Sequence, residues 1–136
     1  MNAIQRKRLL KLADFLEQLP PQKFDFGVIV TEGAKPMLEA LKAREESCGT
    51  VACAIGWMPA VFPRLTKWKR SRSGLGLVVG LKDTSKYRNF EVAERFFGIS
   101  KDDARYLFNP GDSVLSYDAS AKQVAKHIRS FVGDAK

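Results

Sequence analysis

Leu9-Leu10-Lys11-Leu12-Ala13-Asp14-Phe15-Leu16-Glu17-Gln18-Leu19 is followed at once by Pro20-Pro21. Leu9, Leu12, Phe15, Leu16 and Leu19 recur at helical spacing and form one apolar stripe. Arg6, Lys7, Lys11, Asp14 and Gln18 fall mostly off that stripe. The prolines must end the helix, because proline has no N–H to give and clashes with the preceding turn. An amphipathic helix of this kind needs a core to cover, so the chain reads as helical from its first segment outward.

The far end carries the same signature. Ser120 and Gln123 have the spacing of a capping box, and Ala121, Val124, Ile128, Phe131 and Val132 make an apolar face that Gly133 should end. Before it lies a helical hairpin. Asn89 is a candidate cap for a helix bearing Phe90, Ala93, Phe96 and Phe97, closed by Gly98. Ser100 and Asp103 resemble a capping box for the next helix, which presents Ala104, Leu107 and Phe108 and stops at Asn109-Pro110-Gly111. Its turn invites a helix-turn-helix reading. The spacing from Ala93 to Gly98 is one residue too long for that motif, and Asp102 and Asp103 stand where a recognition helix meets DNA, so a structural hairpin fits better.

The middle is less regular. Residues 24–30 alternate loosely and suit an extended segment, and Pro36 suits the first turn of a helix with Met37, Leu38 and Leu41 on its apolar face. Cys48-Gly49-Thr50-Val51-Ala52-Cys53-Ala54-Ile55-Gly56-Trp57 is apolar on every side after Thr50, a plausible N-cap, and reads as a central buried helix that Pro59 ends or kinks. Leu75 to Leu81 is apolar, partly β-branched and rich in glycine, and suits a strand in a small hairpin. The expected fold is mainly α: a single domain over residues 1–136, about five helices around a buried Cys-Gly-Thr helix, with a small β-hairpin.

Composition narrows the function classes. The chain has 136 residues, 45% of them apolar, with nine Phe and two Trp, enough for one core and too apolar for disorder. Lys and Arg number 23 against 15 acids, a formal charge of +8 that favours acidic partners. Two cysteines, Cys48 and Cys53, are fewer than a small secreted domain usually carries. The basic N-terminus runs into an amphipathic helix rather than a signal peptide, and the uncharged apolar run over residues 51–63 is too short to span a bilayer. A cytoplasmic protein with no membrane role is expected, bacterial or, if phage-encoded, in the host cytoplasm.

Residues 64–73 hold the strongest binding signal. Arg64, Lys67, Lys69, Arg70 and Arg72 interleave with Trp68, and no acid interrupts them. Lys and Arg contact phosphates, and an indole can stack on an unpaired base. The same residues could dock on an acidic protein groove, or form a solvated loop with Trp68 folded into the core.

Cys48 is a candidate reactive thiol. At the mouth of a helix starting near Thr50, backbone N–H groups would favour its thiolate. Cys-Gly near a helix start resembles papain-like peptidases, but their second cysteine follows more closely and the surrounding residues differ. A base would have to be His127, the single histidine, whose helix otherwise reads as ordinary and places it between core and solvent. Structural zinc wants four ligands where Cys48, Cys53 and His127 supply three, so no metal site is assigned. The plain alternative makes Cys53 a small core residue. No cofactor motif, paired carboxylates or Ser/His/Asp set is recognisable, so no catalytic residue is assigned.

Four blocks together resemble a loose group of small bacterial and bacteriophage proteins: residues 9–25, the Cys48–Trp57 block, Phe96-Phe97-Gly98-Ile99-Ser100 with Tyr106-Leu107-Phe108, and residues 121–131. That group carries a Cys-Gly-Thr-x-x-Cys-x-x-Gly-Trp/His core and a Phe-Phe-Gly-Leu/Ile-Ser hairpin. The resemblance covers about half of the chain, and only the Cys-Gly-Thr block is specific. It implies a bacterial or phage cytosolic origin and no activity. Where the group often has His, this chain has Trp57, which weakens a metal or catalytic role further. The leading expectation is a non-enzymatic basic binding module, a phage or prophage accessory protein that engages nucleic acid through the cationic segment. The alternatives are an inhibitor or adaptor for an acidic protein, such as a host or defence factor, and a thiol enzyme or redox protein using Cys48.

Overall fold

The computed structural model describes residues 2–26, 30–31, 51–70, 77–109, 115 and 118–134. Helix α1 (Ala3–Gln18) starts from a reciprocal cap: the Gln5 N–H donates to Asn2 Oδ1 and the Asn2 N–H donates to Gln5 Oε1, both at 2.9 Å. Leu9, Leu12, Ala13 and Leu16 are buried, with Phe15 and Leu19 packed beside them. The helix stops where the prolines demand, and Pro21 opens a single 3-10 turn, Pro21–Lys23.

Among the described residues, helix α5 (Ala121–Asp134) makes the most extensive helix–helix contact, against α1. Here α5 is the last helix and runs through Gly133 rather than ending there. Its capping box is complete: Gln123 N–H donates to Ser120 Oγ at 3.1 Å, and Ser120 N–H donates to Gln123 Oε1 at 2.8 Å. Ala121, Val124, Ala125, Ile128 and Val132 are buried. At the exposed edge Arg129 forks between Asp14, at 2.5 Å, and Glu17.

The segment between these helices departs from the expected central helix. Residues 51–52 form strand β2 (Val51–Ala52), which pairs antiparallel with β1 (Val30–Thr31). Residues 53–57 then turn through the core, with Trp57 N–H donating to Cys53 O at 3.1 Å, and lead into the short helix α2 (Met58–Val61). β-branched Val51 suits a strand, and Pro59 lies in the first turn of α2, where no N–H is required, so it opens that helix rather than ending a longer one. The segment is buried as expected, from Cys53 to Met58, but as a turn. Cys48, Gly49 and Thr50, and the helix expected after Pro36, lie outside the described residues.

Strands β3 (Thr66–Arg70) and β4 (Leu77–Leu81) form the expected hairpin, with Trp68 opposite Val79 and Thr66 opposite Leu81. The helical hairpin follows as α3 (Phe90–Phe97) and α4 (Lys101–Phe108). Gly98 closes α3 at φ 62°, and the Ile99 N–H donates to Glu94 O at 3.1 Å in a Schellman closure. Ser100 Oγ caps α4 by accepting from the Asp103 N–H at 3.0 Å.

Asn89 does something else than cap α3. At φ 51° and ψ −117°, its side chain accepts from the Val79 N–H at 2.9 Å, and its own N–H donates to Val79 O at 2.9 Å. The carboxamide therefore satisfies the free side of β4 and ties the hairpin to the start of α3. The fold is mainly α with a small antiparallel hairpin, and its core joins all five helices among the described residues to one face of β3–β4.

Candidate functional site

Strand alternation sorts the cationic segment into two faces. Thr66 and Trp68 point into the core, while Lys67 is exposed and Lys69 half-buried on the opposite face. Across the hairpin, Lys67 stands opposite Gly80 and Lys69 opposite Val78, so no acid of the partner strand faces either lysine. Gly80 gives Lys69 room: a Cβ there would lie 3.0 Å from Lys69 Cε. The end of the lysine side chain, from Cδ to Nζ, lies across the bare backbone of Gly80.

Trp68 is not a stacking platform. It is 5% exposed, its Nε1–H donates to Gly56 O at 2.7 Å, and its ring meets Trp57 edge-on at 6.5 Å. Burying an indole with its N–H satisfied is worth several kcal/mol, roughly 25 cal/mol per Å² over 150–250 Å². That holds the ring inward, away from any base.

Arg64 sits in the turn before β3 and lines a cleft of about 380 Å³ together with Arg8 from α1, Lys82 and Asp83 after β4, and Arg95 and Phe96 from α3. Arg8 is fixed there: its Nη1 donates to Phe96 O at 2.8 Å and its guanidinium lies 4.0 Å from the Phe96 ring centroid. Arg95 lies over the Tyr87 ring at 4.4 Å. Among the described residues, none of these four cations is in an ion pair. Arg70 is placed by its backbone alone, opposite Leu77 at the end of β3, and Arg72 lies outside the described residues.

Arg8, Lys82 and Arg95 carry no local signal in the sequence. They come from three separate elements, and Arg95 follows Glu91 and Glu94 on an ordinary-looking helix. Only the packing of α1 and α3 beside the hairpin gathers them.

The thiol and histidine readings go elsewhere. Cys48 lies outside the described residues. Cys53 is 1% exposed, and burial pushes its thiol up to about 11, so it is protonated at neutral pH. His127 is half-buried, with Nε2 at 3.2 Å from Tyr106 O and its ring against the Tyr106 ring at 4.7 Å. Among the described residues, no three His, Cys, Asp or Glu side chains converge as metal ligands. Nor is any helix there long and apolar enough to cross a membrane.

No protein-family model, curated protein or solved structure matches the chain.

Proposed function

We propose that this protein is a non-enzymatic binding module that holds nucleic acid by its phosphates, with Arg64, Lys67 and Lys69 as the described contacts and Arg70 and Arg72 continuing the run. The observation that carries this reading is the outer face of β3, where two lysines face Gly80 and Val78 rather than acids. Among the described residues Arg64, Lys67 and Lys69 have no acidic partner, which leaves them available to neutralise phosphates and release counterions. With Trp68 in the core, the interaction is electrostatic and indifferent to base identity, and no indole selects single strands.

The test is fluorescence anisotropy with labelled single- and double-stranded DNA and RNA. Three to five phosphate contacts on a duplex should weaken binding about 40- to 500-fold between ~50 and ~200 mM salt. Lys67→Glu with Lys69→Glu should abolish most of the binding at the lower salt. Absence of binding at ~50 mM salt, or binding unchanged by that charge reversal, would sink the proposal and turn attention to an acidic protein partner.

A further inference from the structure

The cleft behind Arg64 differs in kind from the open lysine face, because it combines charge with apolar walls and a hydrogen-bond acceptor. Arg8, Arg64, Lys82 and Arg95 meet a single acid there, Asp83. Arg8 uses one guanidinium donor on Phe96 O and has others to give. Its position is set by that bond and by the Phe96 ring, and Arg95 is steadied by Tyr87, so two guanidiniums are placed before any ligand arrives. Leu65, 48% exposed, and Leu81 add apolar surface beside Phe96.

We propose that this cleft binds a nucleoside 5′-phosphate, either as the end of a strand or as a free nucleotide. The strand-end form rests on the nucleic-acid reading above; the free-nucleotide form does not.

Charge selects the terminal phosphate. A phosphate monoester carries about −1.5 to −2 at neutral pH, against one charge for a backbone diester, and the guanidiniums that line the cleft favour the more charged group. The walls select the nucleoside. Leu65, Leu81 and Phe96 offer apolar contact that a bare phosphate cannot use, and the Asp83 carboxylate accepts from a sugar hydroxyl or a base amine. The volume, about 380 Å³, falls within the range of small-molecule sites.

The experiment compares a short 3′-labelled strand bearing a 5′-phosphate with the same strand bearing a 5′-hydroxyl, by anisotropy. Calorimetric titration with adenosine 5′-monophosphate and with inorganic phosphate runs beside it. The phosphorylated strand should bind about tenfold tighter, the effect of one charge-assisted contact set. That preference should shrink as pH falls through ~6, where the monoester loses its second charge. The nucleotide should bind more tightly than inorganic phosphate. Lys82→Ala with Arg95→Ala, both at exposed positions, should erase the preference and the nucleotide binding while retaining the wild-type melting temperature. Lys67→Glu with Lys69→Glu should instead weaken both strands and leave the nucleotide alone. Equal affinity for the two strands on the wild-type protein, with no heat from the nucleotide, overturns the cleft proposal; the salt-dependent binding of the hydroxyl strand then still stands. Nucleotide binding that Lys82→Ala with Arg95→Ala abolishes, in a protein that binds neither strand, supports the cleft and removes the nucleic-acid reading.

Discussion

In the α1–α5 pair, Arg129 is held between Asp14 and Glu17, whereas in the β3–β4 hairpin Lys67 and Lys69 look across at Gly80 and Val78. Both regions are basic, and both bury one apolar face in the same core. They differ in what becomes of the charge. On the helix pair the charge of Arg129 is neutralised within the protein, and hydrogen bonds to Glu17 first and Asp14 second raise its guanidinium pKa. On the hairpin, among the described residues, the charge is left facing outward. A net charge of +8 therefore says less about binding than the distribution of its counter-charges does.

The sharpest way to break this comparison is Trp68→Ala. If the hairpin's inner face is core, the variant should lose about 3–5 kcal/mol in a denaturant titration, because it leaves a cavity and strips the partner from Gly56 O. An unchanged midpoint with weakened nucleic-acid binding would mean the indole faces outward. Alkaline pH probes the buried turn between the two regions. Cys53 has its thiol raised from 9.0 to about 11, so the folded state keeps a proton that the unfolded chain releases. Stability should be intact below pH 9 and decline towards 11, and Cys53→Ala should flatten that decline in thermal melts followed by circular dichroism. Next comes the helix pair. Ser120→Ala removes one side of the α5 capping box and should lower stability by about 1 kcal/mol in the same denaturant assay. The smallest effects separate the two kinds of cation. Arg129→Ala should destabilise by about 0.5 kcal/mol at low salt and less at high salt, while Lys67→Ala should change stability by less than about 0.5 kcal/mol and act on binding instead.

The helices were legible because their signals are local. Pro20-Pro21, the Ser120/Gln123 pair, Ser100 before Asp103 and Gly98 each act within one turn of the element they bound, and the structure uses them as such. Asn89 has the right residue type for a cap, yet Val79 competes for its carboxamide from a strand ten residues upstream. The segment after Thr50 misled for a related reason. A run apolar on every side specifies burial but not period, so a buried turn satisfies it as well as a helix does. In the basic run, the inward turn of Trp68 depended on Gly56 O, a partner on another segment. Of the cleft's cations only Arg64 was legible, since the others arrive from α1, α3 and the chain after β4.

The pair of hydrogen bonds between Asn89 and Val79 has a mechanical consequence. Lys82 stands on the chain leaving β4 and Arg95 on α3, so two jaws of the cleft hang from the elements that Asn89 clamps together. The backbones that carry the two side chains are thereby held in register with each other. An asparagine held at φ 51° is strained on its own, which makes the clamp the first part to spring if the hairpin is pulled away from α3.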